Sequence, residues 1–354
     1  MIHVFTSSAP NYVGKVRALC ESLQEHCPDM MVHWLVAETR NDALLEALAD
    51  DPIDNVIFLD DFETYRDPGW LFQHDIVELS TAIKPGVALS LLEREDCELL
   101  IYFDPDQVVF SPLDDLVEAL RSASAVLTPH LLVPYEDLKA VRDHEICALR
   151  NGIFNLGFFG VRDCEEGRAF LSWWSDRCLD FCWGDWRSGV FTDQKWINHA
   201  PVFFPEIATL RSPRFNVAPW NINQRNFEGS FDEGFKVEGE DLGFYHFTGF
   251  DSGAHQEVID WYAAGNKAVH GLVQWYKERT HSLLPDMDLS WRLGKYSNGQ
   301  KVMAPHRKIY RQREDLQAAF PDPFAANGGD ELTYLKWIET AGPVEFPEEL
   351  GGQE

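Results

Sequence analysis

The stretch Glu98-Leu-Leu-Ile-Tyr-Phe103 is apolar on successive residues and runs straight into Asp104-Pro105-Asp106. A strand without an alternating polar face has no side for water, so it belongs in the middle of a sheet covered on both faces. Such sheets are mostly parallel, and parallel strands need long crossovers, usually helical. The first half of the chain supplies them. Apolar runs at Ile2–Thr6, Met31–Val36 and Asn55–Leu59 alternate with helically spaced stretches at Val13–His26, Asn41–Ala49 and Glu78–Glu95. Pro85 falls inside the last of these and is expected near a helix start or at a kink. The alternation predicts the α/β class, with a Rossmann-like, doubly wound and mostly parallel sheet.

Further along, Ala125–Thr128 and Phe154–Val161 read as strands, Glu166–Phe181 as a helix with an aromatic face, and Phe244–Phe247 as a late strand. Beyond about Gln256 the pattern turns helical, at Glu257–Ala264 and Ala268–Thr280. A polar region punctuated by Pro and Gly follows from Leu283 to Pro323, then a short helix at Leu332–Thr340. This divides the chain into an α/β domain over 1–255 and a helical C-terminal extension over 256–354, packed on it.

With 354 residues, 45% of them hydrophobic, the chain can bury a sizeable core. Its formal net charge of −28 argues against nucleic acid as a partner, because binding it needs Lys and Arg to replace counterions. The same charge disfavours an anionic membrane surface. An anionic ligand must therefore be met by a metal, a helix N-terminus or a few local basic groups. Seven cysteines, an odd number with no Cys-x-x-Cys pair, suit a reducing compartment. The N-terminal MIHVFTSSAPNY lacks a basic region followed by an apolar run, and no stretch approaches 18 apolar residues. No signal peptide and no transmembrane segment are expected, and a cytoplasmic location is.

Ligands of open α/β sheets bind beyond the carboxyl ends of the strands. Asp104 and Asp106 stand at such an end. Two carboxylates there can hold one hard divalent cation, Mg²⁺ or Mn²⁺, which prefers oxygen ligands and leaves positions open for phosphate oxygens. The alternative is a solvated Asp-Pro-Asp turn. A second signal is Tyr245-His246-Phe247-Thr248-Gly249, where His246 on a short aromatic strand can complete a metal site. Its alternative is a hydrogen-bonded core histidine.

In the order of these motifs the chain resembles glycosyltransferase family 8 and its relatives, which have the GT-A nucleotide-sugar fold. TSSAPNY resembles the family's first-strand loop, which contacts the nucleoside; this places Thr6, Ser7, Asn11 and Tyr12 at the cofactor, with the Tyr12 ring on the base. Tyr102-Phe103-Asp104-Pro105-Asp106 matches the metal-binding Asp-x-Asp motif, and His246-Phe247-x-Gly249 matches the late metal-binding His and its glycine. Phe154-Asn155-Leu156-Gly157 matches a Phe-Asn-Ala-Gly block whose Asn faces the donor sugar, and Asp193-Gln194 a pair beside the anomeric carbon. Arg214-Phe215-Asn216 matches a further block near the site. The matches cover roughly residues 1–255.

The chain departs from the pattern in two places, at the late lysine and at the acidic residue of the first loop. No lysine follows His246-Phe247-x-Gly249, and Ser252 stands near its position. Lys84 falls where the family has a basic residue ahead of the Asp-x-Asp strand. Ser8 or Ala9 replaces an acidic residue of the first loop. The resemblance implies Mn²⁺ or Mg²⁺ and a nucleotide-sugar donor, UDP-sugar first, with a hexose passed to a glycan, lipid-linked or protein acceptor and the anomeric configuration retained. Asp193, Gln194 and Asn155 are then the catalytic candidates. Trp220, Asn221 and Arg225, with Trp183 and Trp186, are candidates for an acceptor groove, and His144–Gly152 for a lid. Two other readings use the same residues: a catalytically silent sugar-binding or scaffold protein, and a sugar nucleotidyltransferase. The second usually needs a Gly-rich basic phosphate loop, which TSSAPNYVGK is not.

Overall fold

The computed structural model describes residues 1–326 and 332–350. In chain order its strands are β1 (Ile2–Ser8), β2 (Met31–Val36), β3 (Asn55–Phe58), β4 (Leu99–Phe103), β5 (Gln107–Val109), β6 (Ala125–Pro129), β7 (Phe154–Arg162), β8 (Ile207–Thr209), β9 (Phe227–Ser230), β10 (Gly234–Val237), β11 (Glu240–Asp241) and β12 (Phe244–His246). A central sheet runs β3-β2-β1-β4-β7-β6-β8, and β4 lies in its middle with every residue buried. The sheet is mostly parallel, in keeping with the alternation of strands and helices along the first half of the chain. β7 alone is reversed, pairing antiparallel with both β4 and β6. Phe154–Arg162 is apolar almost throughout, and a continuous apolar run carries no information about strand direction.

Helices cover both faces, and the sheet separates two apolar cores. One includes Phe5, Tyr102, Phe159 and Trp174; the other includes Val4, Trp34, Phe103 and Phe158. The stretch Glu78–Glu95 is two helices, not one: Ile76–Ala82 and Lys84–Leu92 meet at Ile83. Pro85 sits in the first turn of the second, where its missing N–H is harmless. Asp75 caps the first helix by accepting from Val77 N and Glu78 N, and Glu78 accepts in return from Asp75 N at 3.1 Å.

The chain after residue 255 closes over this body. The Lys267–Ser282 helix buries Val269, Leu272, Val273 and Tyr276 in a third cluster with Tyr245 and Phe247. Residues 291–326 and 332–350 gather around Phe72, whose ring meets Tyr310, Phe324 and Tyr334 edge-on. Arg307 donates to Phe72 O at 2.9 Å, and Trp291 Nε1 donates to Ala37 O at 2.8 Å. All seven cysteines carry free thiols. Among the described residues no helix is long and apolar enough to cross a membrane.

At the lower edge of the sheet His3 on β1 and His33 on β2 stack at 5.1 Å, both fully buried. His33 Nδ1 accepts from Asn55 Nδ2 at 3.1 Å, which leaves its Nε2–H to donate to His3 Nδ1 at 3.0 Å. Burial, and then the neighbouring His3, push the His33 imidazole down to about 4 from 6.5. Between those values the unfolded chain takes up a proton that the fold refuses. The contribution is therefore complete above pH 6.5 and is lost as pH falls toward 4. It amounts to at most about 3 kcal/mol. Urea titrations at several pH values should show His33→Gln losing less stability than wild type between pH 7 and 5. Parallel losses would remove His33 as the cause.

Candidate active site

Asp104 and Asp106 follow β4 where the sheet opens. The turn is pinned on both sides: Asp104 N donates to Gly157 O at 2.7 Å, and Gln107 N donates to Asp104 O at 3.0 Å. β5 leaves this turn and pairs antiparallel with β12, in a register that sets His246 opposite Gln107. Phe247 N donates to Asp106 O at 2.8 Å. Backbone pairing thus carries an imidazole from far along the sequence to the acidic turn. His246 Nε2 lies 3.0 Å from Asp106 Oδ1 and 3.7 Å from Asp104 Oδ2. One ligand atom from each of the three falls within 4.8 Å of the others.

The imidazole is aimed from behind. His246 Nδ1–H donates to Asn155 Oδ1 at 3.2 Å, which leaves Nε2 as the nitrogen that could ligate a metal. Trp220 packs edge-on to the same ring at 5.4 Å. Gly157, two residues on along β7, is required by this packing. A Cβ there would lie 2.8 Å from His246 Nδ1 and 2.9 Å from Asn155 Oδ1. Burial opposes the Asp106 carboxylate, but His246 outweighs it and holds the group below its ordinary range.

Lys84 stands behind Asp104. Its Nζ lies 3.1 Å from Asp104 Oδ1 and 3.3 Å from Asp193 Oδ2. Tyr102 donates to the same Asp104 oxygen at 2.6 Å, and Lys84 sits 4.4 Å over the Tyr102 ring. Burial works against the Lys84 charge, yet Asp104 and Asp193 raise it above the ordinary lysine range. Asp193 is itself buried, which raises its carboxyl despite Lys84. It follows Thr192, a β-branched residue at φ 44°, a conformation such residues rarely adopt. Gln194 is committed to backbone: its Oε1 accepts from Leu156 N and its Nε2 donates to Asn151 O, both at 3.1 Å.

The first loop meets the late loop at the rim. Tyr12 donates to Asp251 Oδ2 at 2.9 Å, and Lys15 Nζ lies 2.5 Å from the same oxygen and 4.1 Å over the Tyr12 ring. Sequence reasoning missed Lys15 and Asp251. Lys15 sits on an ordinary amphipathic helix, and its partner is 236 residues away. Asn11 is exposed. Thr6 and Ser7 are buried at the end of β1, with Ser7 Oγ donating to Ser80 O. Ser8 turns inward and accepts from Trp34 Nε1, away from the loop. Gly249 has φ 71°, which suits glycine, and Ser252 donates back to Gly249 O.

Of these groups Lys84, Asp104, Asn155, Asp193, Gln194, His246 and Gly249 line a cleft of about 890 Å³, whereas Asp106 and the first-loop residues Thr6, Ser7, Asn11 and Tyr12 are not in its lining. Trp220 lines it too. Asn221 and Arg225 do not: both are buried and bond backbone, Asn221 to Asn216 O and His130 O, Arg225 to Pro213 O and Phe215 O. Arg214 likewise binds Asp115, Ser111 and Pro112 O. Trp183 lies under Arg311, and Trp186 stacks on Phe191; neither borders the cleft. The stretch His144–Gly152, read as a lid, forms the end of a helical segment that runs from Leu138 through a π-helical turn at Val141–Glu145 to Asn151 and walls the cleft.

No family model matches the chain. Over 271 residues it is 26% identical to the uncharacterized protein YfnD of Bacillus subtilis (strain 168), covering 73% of this chain and 82% of that one. Over 179 residues it is 26% identical to YfnF of the same strain, covering 50% of this chain and 58% of that one. Among solved structures it resembles the galactosyltransferase LgtC in complex with donor and acceptor sugar analogs, with TM-score 0.50 and 18% identity over 81% of this chain and 98% of that one. It also matches GlyE of Streptococcus pneumoniae TIGR4, a glycosyltransferase, at TM-score 0.45 and 15% identity over 82% and 62% of the two chains. The mixed sheet with its reversed strand, the helices on both faces and the likeness to LgtC show that the chain has the GT-A fold.

Proposed function

We propose that the protein is a metal-dependent glycosyltransferase that moves a hexose from a nucleotide-diphosphate sugar, UDP-sugar first, to a hydroxyl acceptor with retention of configuration. The observation that carries this reading is the convergence of Asp104, Asp106 and His246 at the open end of β4, beside a cleft on a GT-A fold. Two carboxylates and an imidazole suit Mn²⁺ or Mg²⁺. When bound, such an ion stabilises the negative charge that grows on a departing diphosphate.

The chain's own groups do the rest. Tyr102 and Lys84 fix the Asp104 carboxylate, and Asn155 fixes the His246 ring, so the ligand atoms are held ready rather than recruited. Lys15 lowers Asp106 electrostatically and stands beside Tyr12, which makes it the ammonium placed to meet the diphosphate in this chain. Tyr12 offers its ring to the base. Asp193 and Gln194 border the cleft where the sugar's positive charge develops. Asp193 is held by Lys84 and Thr192, which suits a fixed countercharge better than an attacking nucleophile. A front-face displacement follows, in which the acceptor hydroxyl attacks the anomeric carbon as the bond to phosphate breaks, and the leaving phosphate oxygen takes the hydroxyl proton.

The test is release of nucleoside diphosphate from a panel of nucleotide sugars, with Mn²⁺ or with chelator, and the anomer of the transferred sugar read by NMR. Metal-dependent release with a retained anomer is expected. An inverted product would overturn the displacement. Nucleotide binding without release, for every donor and acceptor offered, would give the lead to a catalytically silent protein on the same fold.

A further inference from the structure

The cleft is larger than the cluster at its floor. A volume of about 890 Å³ approaches the upper end for small-molecule sites. Its outer part is built by two helical segments, Leu138–Asn151 and Ala254–Tyr262, joined through side chains. Lys139 Nζ lies 2.6 Å from Asp143 Oδ2 and 3.2 Å from the Tyr262 hydroxyl, which donates to that carboxylate at 2.7 Å. The Lys139 ammonium also stands 4.4 Å over the Trp261 ring. Trp261 is 66% exposed although it lines the cleft. A half-exposed ion pair stabilises a fold by only about 0–1 kcal/mol, so folding does not explain why these long side chains are held together here.

The combination has a recognisable chemistry. A pyranose has one face of C–H groups and a rim of hydroxyls. An accessible indole takes the first, and a carboxylate with an ammonium beside it takes the second, as acceptor and donor. Trp220, beside His246, and Trp261, at the rim, extend this surface from the metal cluster outward along one cleft. Helical walls keep their backbone groups bonded internally, so an extended peptide finds no strand edge to pair with. Asp143 and Glu257 on the same lining disfavour an acceptor that carries phosphate.

We propose that this outer part is the acceptor subsite and that it takes a neutral glycan, with a pyranose ring on Trp261 and its hydroxyls on Asp143 and Lys139. The inference rests on the transferase reading for its role but not for its binding chemistry, and the experiment separates the two. Saturation-transfer NMR on the full chain, without donor, with methyl glucosides and galactosides, lactose, maltose and cellobiose, reads binding directly. At least one sugar is expected to bind, with affinity reduced about tenfold in Trp261→Ala and largely kept in Trp261→Phe, in keeping with the loss of one stacked ring. In transfer assays with that sugar, the acceptor KM of Trp261→Ala should rise by a similar factor while the donor KM moves less. No binding by any of these sugars, or equal binding by Trp261→Ala, would overturn the subsite. Binding that follows this pattern in a protein that releases no nucleotide would leave the subsite standing and remove the transferase reading instead.

Discussion

Asp106→Ala should lower metal-dependent release of nucleoside diphosphate by at least about 10³-fold while the protein stays folded. Removing one preorganised donor from a charge-stabilising site typically costs about 10²–10³ in rate. On the proposed reading the lost group also holds the ion, so the ion and the charge stabilisation go together. Asp106 faces His246 across 3.0 Å and has no role in a core, so its loss should not unfold the chain. Thermal unfolding in chelator checks that point. If the variant kept wild-type, manganese-dependent release, the ion would have to be held elsewhere and the acidic turn would be only a turn.

The second large effect concerns a residue with no functional atoms. Gly157→Ala adds one methyl group against the His246 ring and the Asn155 amide. These two are the ligand and the group that orients it, so neither can move without misplacing Nε2. Metal affinity should fall by about 10- to 100-fold, the range for disturbed supporting hydrogen bonds. Overpacking should cost about 1–3 kcal/mol in stability. Gly271 provides the control. It lies in the Lys267–Ser282 helix, and a methyl group added there would meet nothing within 4 Å, so Gly271→Ala should be neutral or stabilising by up to about 1 kcal/mol. Calorimetric titration with Mn²⁺ and urea unfolding of both variants decide the matter. Wild-type metal affinity in Gly157→Ala would show that the ring tolerates a shift.

The parts of this site that could be read in the sequence are those carried by local pattern. Glu98–Phe103 reads as a central strand, and acidic residues at the end of such a strand have few structural reasons to be there. The order of short motifs then pointed to His246. What could not be read depends on partners rather than pattern. A continuous apolar run such as Phe154–Val161 has the same appearance in either direction, so its reversal was invisible. The Lys84–Leu92 helix looked joined to its predecessor because Ile83 keeps helical angles between them. Tryptophans at 183 and 186 looked available for sugars, but aromatic residues advertise burial and stacking without saying where. Lys15 and Asp251 come together only when the two ends of the fold do, and periodicity reports a helix face, never what meets it.

That the imidazole arrives by pairing of β12 with β5 has a consequence for how the protein is made. During synthesis the acidic turn emerges long before residue 246, and until then Asp104 and Asp106 stand without the imidazole. A chain that has folded only its first four strands therefore offers two carboxylates where the complete fold offers two carboxylates and an imidazole. On the proposed reading, metal capture would wait until the whole sheet, its reversed strand and the return to β5 are in place.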